Sequence, residues 1–212
     1  MSTGMLKPPI SKQDLARAVA GPSVGGSSDF DLNPDVAASL PPGRRLRPAA
    51  VLCPVIERPS GLQVILTRRS HRLRHHSGQV AFPGGKVDRG DASPLDAALR
   101  ESEEEIGLSR DQVDILGAID GHETVTGFTI TPFVGLVAPD FTPVPEAGEV
   151  DEVFEAPLDF LMAPENHRKG WRSWRGSRRY FYEMPWGRHY IWGATARILK
   201  GLSLRFAALP AE

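Results

Sequence analysis

One cysteine in 212 residues rules out an internal disulfide. Cys53 lies within an apolar run, so it reads as a buried strand residue, and a reducing, cytoplasmic setting is expected. No apolar run approaches the roughly 20 residues that a bilayer demands, so no membrane partner is expected. Nothing after Lys7-Pro8-Pro9 resembles the apolar core of a signal peptide, and Pro210-Ala211-Glu212 is neither a retention nor a peroxisomal tag, so neither kind of address is expected. Charge of one sign is lacking too. Twenty-five Lys and Arg against 26 Asp and Glu leave a net charge of −1. No global field then recruits nucleic acid, and any anion binding must be local. There is no internal repeat.

What the chain does have is 41% hydrophobic residues, enough for a substantial core in one domain with an extension. Residues 1–45 read as the extension: a short helix from Ser11 to Ala20 capped by Ser11, then GPSVGGSSDFD as a flexible linker. Apolar runs at Ala49–Ile56 and Leu62–Thr67 flank Pro59-Ser60-Gly61, which predicts a hairpin. Short strands are expected at Gln79–Phe82, Val113–Ile119, Thr129–Val137 and Val150–Glu155, with a loop over 121–127 and a short helix at Leu158–Met162. The basic aromatic segment 167–186 predicts a twisted hairpin around Gly176. Its Trp171 and Trp174 could stack a base, though packing of its own aromatics is the commoner role for such an insert. Ile198, Leu202 and Phe206 recur at helical spacing, predicting a helix from about Trp192 to Phe206. Alternating strands and helices with antiparallel hairpins give an α+β layered fold.

Residues 82–108, FPGGKVDRGDASPLDAALRESEEEIGL, are the unusual stretch. Ser93 caps a helix, Pro94 opens it, Asp96 completes an S-x-x-D capping box, and Gly107 stops it. At about 100° per residue, Leu95, Leu99, Ser102 and Ile106 share the core face, with Ser102 the odd polar member. Glu101, Glu104 and Glu105 share another arc, where they repel one another and oppose the helix dipole. Geometry alone allows a solvated acidic face, which is the commoner outcome. It equally allows a hard divalent cation bound by carboxylate oxygens, with nearby glycine backbone able to approach.

The same residues resemble the Nudix box, G-x5-E-x7-R-E-U-x-E-E-x-G-U, where U is a bulky aliphatic. Gly85 opens it, Asp91 stands for the first glutamate, eight residues precede Arg100 instead of seven, and Ser102 takes a U position. Just upstream, ILTRRSHRLRHHSGQVAFPGG at 65–85 resembles the coenzyme A pyrophosphatase signature LLTxR(S/A)x3Rx3Gx3FPGG, departing only at Ile65. That branch of the superfamily also carries the longer box.

The resemblance implies a Nudix α/β/α sandwich with a mixed sheet over 46–212. It also implies Mg²⁺- or Mn²⁺-dependent hydrolysis of coenzyme A, with acyl or oxidised coenzyme A as further candidates, to adenosine 3′,5′-bisphosphate and 4′-phosphopantetheine or its derivative. ADP-ribose or NADH is the alternative substrate class, and a non-catalytic nucleotide-binding module is the alternative from outside catalysis. Glu101 and Glu105 would be metal ligands, Glu104 a ligand or a partner of one, and the Gly85 carbonyl a further ligand. Arg100 would orient the cluster and Asp91 would hold the loop. The run EVDEVFEAPL favours Glu149 as catalytic base or extra ligand over Glu146, Asp151, Glu152 and Glu123. Arg69, Ser70, Arg74 and Gly78 match the substrate-binding motif, with Arg69 expected to read the extra charge of coenzyme A. His71, His75, His76, Arg68 and Arg72 fill free positions of the motif and are expected to be solvated. The expected partners are a small-molecule substrate and, as an open option, a second copy in a homodimer.

Overall fold

Strands buried on both faces read as continuous apolar runs, and the central hairpin of this chain shows why. In the computed structural model, which describes residues 8–41, 43–174 and 176–210, α1 spans Lys12–Ala20, β1 Ser27–Ser28 and α2 Pro34–Ala38. The hairpin follows as β2 (Arg47–Arg58) and β3 (Gly61–Arg69), then β4 (Val80–Ala81), β5 (Gly84–Lys86) and α3 (Pro94–Ile106). Next come β6 (Val113–Ala118), β7 (His122–Glu123), β8 (Phe128–Val137), β9 (Val150–Pro157) and α4 (Leu158–Met162). The chain ends in β10 (Arg168–Trp174), β11 (Ser177–Trp186), β12 (His189–Trp192) and α5 (Ala194–Ala207).

The large sheet is mixed. β2 pairs parallel with β8 from Arg47–Phe128 to Ile56–Val137, and antiparallel with β3 at its C-terminal end and with β5 at its N-terminal end. β9 flanks β3 and β6 flanks β8, both antiparallel. Alternation along β2 and β3 separates two cores. Ala50, Leu52, Ile56 and Ile65 pack with Ala98, Leu99 and Ile106 of α3 on one side. Cys53, Val55, Val64 and Leu66 pack with Leu199 and Leu202 of α5 and Leu15 of α1 on the other. The expected α/β/α arrangement of the α+β class is what forms, and Cys53 is buried and free. Among the described residues, no helix is long and apolar enough to cross a membrane.

The expected linker needs correcting. Ser27 and Ser28 pair in parallel with His122 and Glu123, so both the Gly-Ser stretch and the 121–127 loop carry short strands of the large sheet. The predicted hairpin around Gly176 is present and gains a third strand, β12, to form a separate sheet.

Candidate active site

Helix α3 starts and stops as its caps dictate. The Asp96 N–H donates to the Ser93 hydroxyl oxygen (3.1 Å), Pro94 needs no partner for a missing N–H, and Gly107 adopts φ +71°. The reciprocal half of the expected capping box is replaced: the Asp96 carboxylate accepts the Ser93 hydroxyl (2.7 Å) and pairs with Arg110. Ser102 is fully buried on the core face and donates to the Ala98 carbonyl one turn back (2.7 Å). A hydroxyl that bonds within its own helix is tolerated where an aliphatic side chain would otherwise sit.

The three glutamates of the other arc have different surroundings. Glu105 is only 3% exposed, accepting from Arg69 Nη1 and from the Gly84 N–H, both at 3.3 Å. Burial pushes its carboxyl up to about 7; the neighbouring charges of Glu101 and Glu149 push the same way, against Arg69 and the Gly84 N–H. Glu101 is also raised, first by burial and then by Glu104 and Glu149, against its bond from Arg100. Glu104 is 60% exposed and turns to Arg100 (3.1 Å).

Arg100 ties this side together. Its Nε and Nη2 bond both oxygens of Asp91 at 2.9 and 3.1 Å, and its Nη1 reaches Glu101 at 3.0 Å. The Arg100 bond holds the Asp91 carboxyl below the ordinary range, in keeping with the expected loop-holding role. Glu149 sits in the turn before β9, and its carbonyl accepts from the Ser70 N–H (2.8 Å). The electrostatic coupling of Glu149 to both Glu101 and Glu105 sets it apart from the other candidates. Glu146 caps its own turn through the Gly148 N–H, and Asp151 accepts from the His71 N–H. Glu152 joins Arg68, Arg188 and His189, while Glu123 pairs with Arg44.

The residues of the upstream motif also differ in their surroundings. Arg69, at the end of β3, reaches the buried Glu105. Ser70 is fully buried and its hydroxyl serves the turn, accepting from the Arg72 N–H. Gly78 has φ +68° with the His71 ring so close that a Cβ would lie 2.6 Å from it. Ser70 and Gly78 therefore shape the 70–78 turn. Arg74 is exposed in that turn and does not line the adjoining cleft. His76 is exposed, as expected, and also lines the cleft, held at φ +56° with its Nδ1 2.8 Å from Gln79 Oε1.

That cleft, about 590 Å³, runs past Arg69, Gly84, Gly85 and Phe82, then along Val51, Phe128 and Ile130 to the three-stranded sheet. Arg172, Arg179, Phe181 and Trp192 form its far wall. Sequence reasoning gave these positions to self-packing. The signal that could have found them is a basic side chain on each strand of a hairpin, directly opposite one another.

Among the described residues, no three His, Cys, Asp or Glu side chains converge into a closed ion-binding group; Arg69 and Arg100 contact the carboxylates here. The donors nevertheless suit a hard divalent cation. They are all oxygens, one belongs to a buried carboxylate, and backbone lies against them at Gly85, where a Cβ would sit 2.5 Å from the Glu101 carboxyl carbon. Two neighbouring glycines are thereby predicted to fail differently. Gly84→Ala places its Cβ 2.4 Å from the Ala50 carbonyl oxygen of β2 at φ +148°, so a lower melting temperature is expected. Gly85→Ala meets only the end of a flexible side chain, so the fold is expected to hold while turnover falls at least tenfold as Glu101 is displaced. Thermal melts and initial rates of the two variants check this; an unchanged rate in Gly85→Ala would refute the close-approach role.

The NUDIX domain profile matches residues 46–175. A protein of Escherichia coli strain K12, described as uncharacterized Nudix hydrolase NudL, is 41% identical over 177 residues, covering 77% of this chain and 85% of its own length. The protein of the same description from Cronobacter sakazakii is 42% identical over 166 residues, with the same coverage of each chain. The crystal structure of RenU, a Nudix hydrolase of M. Smegmatis, aligns with a TM-score of 0.46 and 26% identity over 55% of this chain and 72% of that one. The profile spans more than half of the sequence, and the two NudL relatives are covered over most of their length: the chain belongs to the NUDIX family, pyrophosphohydrolases that act with divalent metal ions on nucleoside diphosphate derivatives.

Proposed function

We propose that this protein hydrolyses the pyrophosphate bond of coenzyme A, yielding adenosine 3′,5′-bisphosphate and 4′-phosphopantetheine. The observation that carries the reading is the contact between Arg69 and Glu105. It joins the upstream segment that resembles the coenzyme A pyrophosphatase signature to the carboxylate helix, so two separate motifs make one site. Glu101, Glu105 and the Gly85 carbonyl would hold a Mg²⁺ or Mn²⁺ ion, with Glu104 a ligand or a support to one. When bound, such an ion neutralises charge on the phosphoryl oxygens and acidifies a water.

The chain's own groups supply the rest. Arg100 fixes the orientation of Glu101 and Glu104 while anchored on Asp91. Arg69 presents a guanidinium, a shape suited to diphosphate oxygens, at the mouth of the cleft. The Glu149 carboxylate accepts the proton of the attacking water. Ser70, Arg74 and Gly78 set the shape of the loop beside it. A cytoplasmic setting belongs to the same proposal, in keeping with a single free thiol.

The test is product analysis with coenzyme A, acetyl-coenzyme A, ADP-ribose and NADH side by side, with Mg²⁺ or Mn²⁺. Adenosine 3′,5′-bisphosphate and 4′-phosphopantetheine are expected from coenzyme A at the highest kcat/KM. Intact coenzyme A alongside cleaved ADP-ribose would overturn the substrate assignment and keep the family.

A further inference from the structure

Most of the charged side chains that line the cleft are cations: Arg69, Lys86, Arg172 and Arg179 against a single carboxylate, Asp29. The whole chain, by contrast, carries a net −1. Arg69 serves Glu105 at one end. At the other end Arg172 of β10 stands directly opposite Arg179 of β11. Like charges in cross-strand register destabilise a sheet unless something of opposite sign compensates them. Asp29 approaches Arg179 at 3.8 Å. Arg172 instead lies over aromatic faces, 4.4 Å from the Trp192 ring centroid and 5.9 Å from that of Phe181.

These aromatics are held in place. The Phe181 and Trp192 ring centroids are 5.0 Å apart. Gly170 pairs with Phe181 across the strands, and a Cβ there would lie 2.9 Å from the Phe181 ring and 2.4 Å from a Glu183 oxygen. Only glycine lets that ring and carboxylate occupy their positions. The opening of α5 at Gly193, with no side chain capping it, borders the same space and adds a field favourable to anions.

We infer that this wall is a nucleotide-reading subsite, in which Arg172 and Arg179 bind a phosphate monoester and Trp192 with Phe181 receives the adjoining nucleobase. The inference deepens the proposed coenzyme A reading, because that substrate carries a phosphate monoester apart from its diphosphate. It also moves the reading of the extra charge away from Arg69, which serves the diphosphate end that all substrates of this class share.

The experiment compares coenzyme A with dephospho-coenzyme A, identical except for the monoester, in the wild type and in Arg172→Gln and Arg179→Gln variants whose melting temperatures are first checked. Arg172→Gln is expected to raise KM for coenzyme A by about 10- to 100-fold, the range of one charge-assisted hydrogen bond, with kcat unchanged. KM for dephospho-coenzyme A is expected to move less than threefold. Equal changes for both substrates, or none for either, would overturn the inference.

Calorimetric titration of the intact chain with adenosine 3′,5′-bisphosphate and with AMP separates this from the substrate question. If the wild type cleaves neither substrate, the coenzyme A reading fails. The subsite then stands on tighter binding of the bisphosphate, lost in Arg172→Gln and Arg179→Gln, and falls if the wild type shows no such preference. Should one variant not fold, the other carries the comparison.

Discussion

Glu105→Gln is expected to lower kcat on the order of 10³-fold, the scale at which removal of a transition-state electrostatic partner is felt, while leaving the protein at least as stable. The two halves of that result share one cause. Glu105 is buried, and its carboxyl is pushed from an ordinary 4.5 up to about 7. A raised carboxyl opposes folding once the unfolded chain ionises. The penalty is absent below pH 4.5, grows between pH 4.5 and 7, and is complete above 7, where it amounts to roughly 3 kcal/mol. Glutamine fills the same volume without the charge. Its cost is the loss of the Arg69 pair, and Arg69 is partly exposed and can turn to water.

At pH 8 the variant is therefore expected to melt no lower than the wild type and by up to several degrees higher, with the advantage disappearing at pH 4.5. Mn²⁺ is expected to raise the melting temperature of the wild type and to have little effect on the variant. Turnover within tenfold of wild type, or a melting temperature well below it at pH 8, would remove Glu105 from the chemistry and from the electrostatic account respectively.

Arg205→Ala is expected to destabilise the fold by about 3–5 kcal/mol, the scale for breaking a buried charge pair. For a domain of this size that is a fall of roughly 10 °C in melting temperature. Arg205 is 6% exposed in the last turn of α5. Its Nη1 donates to the carbonyls of Val19 and Gly21 at 3.0 Å and of Ala18 at 3.4 Å, and its Nε bonds Asp120 at 3.0 Å. These carbonyls end α1, whose C-cap Gly21 is extended and makes no left-handed closure, so the guanidinium does what a backbone cap does elsewhere.

Against the cost of burial, bonds from Ser23 and Arg205 hold the Asp120 carboxyl below its ordinary 3.8. That contribution is complete above pH 3.8 and fades as the pH falls further. Arg205→Lys keeps the charge but not the fork, and an intermediate loss is expected. A melting temperature of Arg205→Ala within 2 °C of wild type would show that α1 is an appendage and not part of the core.

The central hairpin and α5 were legible from long apolar patterns, α3 from a capping residue at each end, α4 from a short apolar run after Pro157, and the arm around Gly176 from a glycine set amid basic and aromatic residues. β1, β7 and β5 were not. Two or three residues carry no periodicity, and Gly84 and Gly85 have no side chains with which to show one. Glu101 and Glu105 were grouped by their spacing on a single helix, while the roles expected of them and of Arg100 came from the resemblance. Whether Ser70 and Arg69, adjacent in sequence, would face the same space was not, because the strand ends between them and register shifts at Arg68/Arg69. Arg172 and Arg179 escaped notice for the opposite reason. They are distant in spacing from every motif and meet the cleft only once the third strand turns the arm back over it.

The arm has one more consequence. Its three strands form a ladder of their own, and among the described residues no strand pairing joins them to the nine-stranded sheet against which the carboxylate helix α3 packs. The carboxylates proposed to cut and the wall proposed to choose are mounted on separate frames, joined through side-chain packing and α5. The arm can therefore change length at its tip, or exchange one side chain for another, without shifting the register of β2, β3 or β5. A lineage, or an engineer, can retune what enters the cleft while the cutting geometry is inherited intact.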